Sequence, residues 1–217
     1  MKSKALNPDR ILPVIAPVMK RAFSSKKLLR LHQFEALPAA PGRVLFLGDS
    51  ITERGMWEGW FPYLATTNRG IDGDTVEDLM ARLDSAVCSP VAISLMVGTN
   101  DLSGQGRSRE PADIARQIGE LLDRLKEMAP QAHIVLNSVL PRSTLFAERI
   151  RDLRDRCREV AHQRDVDFLD LVEIMATNDG AMRDELTADG IHLTAQGYQL
   201  WVDALRPHLP GPETDPV

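Results

Sequence analysis

Cysteine is scarce in this chain. Cys88 and Cys157 are the only two in 217 residues, and they form neither a C-x-x-C pair nor the spacing of a disulfide scaffold. Such usage suits a reducing compartment and excludes a fold stapled by several bridges. Long hydrophobic runs are missing as well, since no apolar stretch reaches the roughly 18–20 residues that span a bilayer. The segment Ile11–Met19 has about the length of a signal-peptide core, but it contains Pro13 and Pro17, follows Asp9 and lacks a clear small-x-small cleavage site. A cytoplasmic location is therefore expected ahead of secretion. Nor is there a surplus of positive charge. The net charge is −5, which argues against nucleic acid as a partner, because phosphate binding draws on a basic surface. Internal repeats and low-complexity linkers are absent.

What is present describes an ordinary globular chain, 43% hydrophobic and 26% charged, long enough for one well-buried domain. Its charge is unevenly placed. Residues 1–40 carry eight Lys and Arg against Asp9 and Glu35, a surplus of six, so the remainder holds −11. The expected division is a basic arm over 1–40, a catalytic domain over 41–210 and a frayed tail over 211–217. Within residues 10–35, Met19, Phe23, Leu31 and Phe34 share one helical face, with Lys27 among them. Such a segment could make peripheral membrane contact or pack across the domain or a partner subunit, and the sequence is compatible with a homo-oligomer.

From residue 43 onward, short apolar runs alternate with helical periods. Arg43–Leu47, Val91–Val97, His133–Leu140 and Val166–Leu169 read as strands covered on both faces, and Ala65–Ile71 as a weaker fifth. Between them, Asp74 with Glu77 reads as a capping box opening a helix through Leu83. Pro111 opens another carrying Ile114, Ile118, Leu121, Leu125 and Met128. Phe146, Ile150, Leu153, Cys157 and Val160 mark a third, and Thr194 caps a last one that Pro207 ends. This alternation implies an α/β protein, a three-layer α/β/α domain with a flavodoxin-like sheet of about five parallel strands. Ligands of such sheets bind beyond the carboxyl ends of the strands.

Four groups stand at those positions. Gly48-Asp49-Ser50 follows the first strand and presents a serine at a strand-to-helix turn, where it is either a nucleophile or a helix cap. Asn68-Arg69-Gly70-Ile71-Asp72-Gly73-Asp74-Thr75 follows the second, with glycines that let the backbone present an N–H to a ligand. Gly98-Thr99-Asn100-Asp101 follows the third, where Asn100 could donate to a developing oxyanion and Asp101 cap or brace the loop. Asp189-Gly190-Ile191-His192 precedes the last helix, a spacing at which the carboxylate can fix the imidazole tautomer. Each group alone also fits turn chemistry. Together, in this order, they point to nucleophilic catalysis.

These segments, GDSIT, NRGIDGDT, GTND and DGIHL, resemble the successive blocks of the SGNH (GDSL-type) hydrolase family over about Arg43 to Leu209. The resemblance implies an esterase or lipase with Ser50 as nucleophile, Asp189 and His192 completing the catalytic set, and an oxyanion hole from Ser50, Gly73 and Asn100. It implies no cofactor and no metal. NRGIDGDT and SVLPR (Ser138–Arg142) are similar to the branch that contains platelet-activating-factor acetylhydrolases. That branch implies a short acyl group on a small-molecule or lipid ester, and a lysophospholipase-type substrate or acyl transfer to another alcohol stays open. Trp57 and Trp60, in the cluster Met56–Pro62, are candidate pocket residues, and Arg142 is a candidate contact for an anionic substrate group.

Rival classes fit less well. Asp72-x-Asp74-x-Val76 resembles an aspartate-nucleophile phosphatase motif, but Thr66-Thr67-Asn68-Arg69 is no strong apolar strand and the only later lysine, Lys126, lies in a helix. A binuclear metallophosphoesterase would place histidines in the loops that hold Asp49 and Asn100. A non-catalytic binding domain would have no use for the complete set of Ser50, Gly73, Asn100, Asp189 and His192.

Overall fold

Short apolar runs become strands when both faces can be covered. In the computed structural model, which describes residues 25–103 and 109–211, five of them form one parallel sheet: β1 (Val44–Gly48), β2 (Thr66–Gly70), β3 (Ala92–Met96), β4 (His133–Asn137) and β5 (Asp167–Leu169). Their order is β2-β1-β3-β4-β5, the flavodoxin-like arrangement expected. The weak strand, β2, is an edge strand, which is why polar Asn68 and Arg69 are tolerated in it.

Alternate strand residues feed two separate cores. Leu45, Leu47, Ile93 and Leu95 pack against α4 (Val76–Met80), α5 (Leu83–Ala86), α7 (Pro111–Met128) and α8 (Ala147–His162). Val44, Phe46, Ala92 and Met96 pack on the other face against α2 (Ser50–Glu53), α3 (Trp57–Trp60), α9 (Leu171–Met175) and α10 (Ala195–Leu205). The short α6 (Thr99–Ser103) follows β3.

Pro111 occupies the first turn of α7, which buries Ile114, Ile118, Leu121 and Leu125 as its spacing predicts. Phe146 stands in a 3-10 turn just ahead of α8, and Thr194 caps α10 by accepting from the Gly197 N–H. The capping box before α4 is displaced by one residue. Thr75 and Asp78 form it, while Asp74 is buried and its carboxylate bonds to Arg82. The helix expected to continue to Leu83 breaks at Arg82 (φ −118°, ψ 12°), whose side chain turns inward to that carboxylate.

Ahead of the sheet, residues 25–36 form a helix, α1, that turns Lys27, Arg30, Leu31 and Phe34 toward the domain and leaves Leu28 and Leu29 exposed. Met19 and Phe23 of the expected apolar face lie outside the described residues. Among the described residues, no helix is long and apolar enough to cross a membrane, and both cysteines are free.

Candidate active site

The carboxyl edge of β1 is crowded. A Cβ on Gly48 would stand 2.2 Å from the Met96 carbonyl oxygen and 2.4 Å from Thr52 Oγ1, so only glycine lets β1 end there and turn directly into α2. Asp49 is the cap of that helix, accepting from the Ile51 N–H at 3.0 Å. Ser50 is thus released from the capping role and stands as the first helical residue. Asn68 pins the far end of α2 by donating to the carbonyls of Thr52, Glu53 and Gly55.

Ser50 Oγ lies 3.0 Å from His192 Nε2. His192 Nδ1 lies 2.6 Å from Asp189 Oδ2, while Asp189 Oδ1 accepts the backbone N–H groups of His192 (2.8 Å) and Ile191 (3.0 Å). A carboxylate can only accept here, so Nδ1 carries the proton and Nε2 faces the serine as an acceptor. The hydrogen bond from His192, followed by the backbone donors, holds the Asp189 carboxyl down to about 2. The loop is closed on itself: Thr187 Oγ1 donates to the His192 carbonyl, and the Gly190 N–H, at φ +80°, donates to Thr187 Oγ1. Tyr198 of α10 donates to the Ile51 carbonyl at 2.6 Å, tying the helix that follows the histidine loop to the serine's helix.

The β2 and β3 loops meet on the other side. Gly73 adopts φ +79°, and the Asn100 amide donates to the Asp74 carbonyl at 2.9 Å. Asp101 braces rather than caps, accepting the Val76 N–H and pairing with Arg109, and burial pushes its carboxyl up to about 6. Arg82 Nη2 donates to the carbonyls of Gly48 and Arg69, linking the end of β1 to β2.

Trp57 is a core residue. It is 2% exposed, stacks on Phe46 at 4.0 Å, meets Trp201 edge-on and donates to the Thr52 carbonyl, and it also borders a cleft with Gly55, Met56 and Asn68. Trp60 packs against the same core. Arg142 lies over the Phe146 ring at 4.1 Å, donates to Ser103 Oγ, and lines a cleft of about 560 Å³ with Thr187, Asp189 and Ile191. Among the described residues, no group of three or more His, Cys, Asp and Glu is arranged to hold a metal ion. Sequence reasoning missed Arg82, Thr187 and Tyr198. The one readable signal was an arginine inside the apolar period of Leu79 and Leu83.

Asp49 gives a pH test. Burial, opposed by the Ile51 N–H and reinforced by Asp74, Asp72 and Asp101, pushes its carboxyl up to about 7. A folded-state pKa above the unfolded value of 3.8 means its contribution to stability is whole below pH 3.8 and is lost as pH rises through about 7. Asp49→Asn, an uncharged isostere, is therefore expected to gain stability relative to the native chain as pH rises from 4 to 8, by on the order of 4 kcal/mol. Urea midpoints at both pH values measure this, and an unchanged difference would refute it.

A doubly wound parallel sheet with linked serine, histidine and aspartate at its carboxyl edge is an arrangement that serine hydrolases use. The sequence profile of the GDSL-like lipase/acylhydrolase family matches residues 46–200, and the chain belongs to that family. It is a carboxylic ester hydrolase. Curated relatives include platelet-activating factor acetylhydrolase IB subunit alpha2 from Rattus norvegicus, 28% identical over 170 residues covering 71% of this chain and 70% of the relative. The Homo sapiens alpha2 subunit is 29% identical over the same shares. Among solved structures, a GDSL-like lipase from Bacteroides thetaiotaomicron aligns over 85% of this chain and 97% of its own, with TM-score 0.72 and 25% identity. A protein from Streptococcus pneumonia aligns over 91% and 99% with TM-score 0.82, and at 22% identity that match speaks for the fold alone.

Proposed function

We propose that residues 41–210 form a serine esterase domain that cleaves short acyl esters through an acyl-enzyme on Ser50. The observation that carries this reading is the unbroken hydrogen-bond chain from Ser50 Oγ through His192 to Asp189. His192 Nε2 takes the serine proton as Oγ attacks the ester carbonyl. Asp189 holds Nδ1–H and stabilises the imidazolium that forms. Backbone N–H groups of Ser50 and Gly73 and the Asn100 amide receive the oxyanion. The imidazolium then gives its proton to the departing alcohol, and water, activated by the same imidazole, releases the acid. The short acyl preference draws on the acetylhydrolase relatives. The cleft beside Asp189, with Arg142 on its wall, is the proposed site for the ester's flanking group. The inward face of α1 supports packing on the domain, rather than membrane contact, as the role of residues 25–35.

The test is a panel of p-nitrophenyl esters of graded chain length, with acetylated sugars and a lysophospholipid. Highest kcat/KM on acetyl and propionyl esters is expected, and a maximum at long chains would overturn the short-acyl reading. Asn100 gives a narrower test. One N–H of its amide is committed to the Asp74 carbonyl, which aims the other. Asn100→Ala is expected to lower kcat by about 10²–10³ with little change in KM, because the donor acts on charge that develops only in the transition state. A change in KM alone would make Asn100 a substrate-binding residue.

A further inference from the structure

Helix α1 lies outside the span that matches the family, yet its side chains reach the turn that carries Gly73. The Asp74 carboxylate is fully buried. Arg82 Nε bonds to one oxygen, Oδ2, at 2.6 Å. The other, Oδ1, receives no well-aligned hydrogen bond and is balanced by the Lys27 ammonium 2.8 Å away, its sole partner among the described residues. Lys27 also meets Asp78, the acid of the α4 capping box, at 2.7 Å. Two turns further along α1, Phe34 is 5% exposed. The guanidiniums of Arg69, Arg30 and Arg82 lie 4.3, 4.9 and 5.9 Å from its ring centre. Arg69 in turn donates to the Leu37 carbonyl at the end of the helix.

These contacts form a short path to the chemistry. Asp74 follows Gly73 directly, and its carbonyl is the acceptor that orients the Asn100 amide. Arg82, the shared partner of Asp74 and Phe34, holds the Gly48 carbonyl two residues before Ser50. A buried carboxylate that loses one of two cations keeps its desolvation penalty without its balance, and the turn must shift to bring water or another donor to it. A shift of a fraction of an ångström at Asp74 misdirects Asn100, and transition-state stabilisation falls steeply with such misplacement.

We infer that α1 is a working part of the active site, with Lys27 as a positioning residue that fixes the Gly73–Asp74 turn and through it the Asn100 amide. This rests on reading Gly73 and Asn100 as oxyanion donors. Lys27→Met is expected to lower kcat about tenfold with KM unchanged, and Lys27→Arg, which keeps the cation, to return kcat to within about threefold of the native value. In an Asn100→Ala background the Lys27→Met effect should shrink to less than about twofold, because the donor it positions is gone.

The four-variant cycle on the full chain, with thermal midpoints alongside, separates the outcomes. An unchanged kcat in Lys27→Met beside a large loss in Asn100→Ala would overturn the inference and leave the oxyanion reading standing. A full tenfold loss in both backgrounds would show that Lys27 acts elsewhere and would overturn it too. A native kcat in Asn100→Ala would remove the oxyanion reading, and the inference with it. If Lys27→Met does not fold, Phe34→Leu replaces it in the same cycle. It releases Arg82 and Arg69 from the ring, and it should show the same kcat-only loss, suppressed in Asn100→Ala.

Discussion

Ser50→Ala is expected to lower kcat by about 10⁶, to the background rate of ester hydrolysis. The size of the effect follows from how the site is built. Ser50 is 4% exposed and its hydroxyl is aligned on an imidazole whose tautomer is already fixed, so the substitution removes the acyl acceptor and the proton that His192 takes. No neighbour substitutes for it. Asp49 and Thr52 are buried, and the Cys157 thiol, on α8 in the core of the opposite sheet face, is buried with its pKa pushed up to about 12. The lost hydroxyl leaves the fold intact, because Asp49 rather than Ser50 caps α2. A fluorophosphonate should label the native protein at Ser50, read by peptide mass, and leave the variant unlabelled. Labelling that persists in Ser50→Ala would move the nucleophile elsewhere.

Much of this candidate site was legible because most of its parts stand at strand ends, where the turn residues are also the ones proposed for the chemistry. Ser50, Gly73, Asn100 and the Asp189–His192 pair each follow an apolar run or precede a capped helix, and the sheet brings those ends together whatever their sequence separation. Two kinds of residue stayed hidden. Arg82, Thr187 and Tyr198 act by holding backbone carbonyls, which any donor of suitable reach can do, so their types carry no motif. Trp57 is hidden for a different reason. Aromatic density after Ser50 fits a pocket wall and core packing alike, and only the fold shows the ring filling the space between Phe46 and Trp201 under the second face of the sheet. The capping box moved for a related reason. Asp74 and Thr75 both satisfy the local rule, and only the tertiary demand of Arg82 for a buried carboxylate decides between them.

His192→Ala is expected to approach the loss of Ser50→Ala, about 10⁵–10⁶ in kcat, while Asp189→Asn is expected to lose about 10³–10⁴. The gap has a structural cause. Asparagine can keep accepting the Ile191 and His192 backbone N–H groups through one oxygen, so the loop persists. Its amide, however, presents N–H to Nδ1 where the carboxylate accepted, which moves the ring proton to Nε2 and turns a donor toward Ser50. The base is then present in the wrong tautomer rather than missing. The ionisation of Asp189 supplies a second check. Held down to about 2 by His192 and the backbone donors, it stays charged throughout a profile recorded from pH 4 to 9, so an acid-side fall in kcat/KM in that range must report another group. Equal, near-total losses in both variants would show that Asp189 also holds the loop together. Native activity in His192→Ala would end the mechanism.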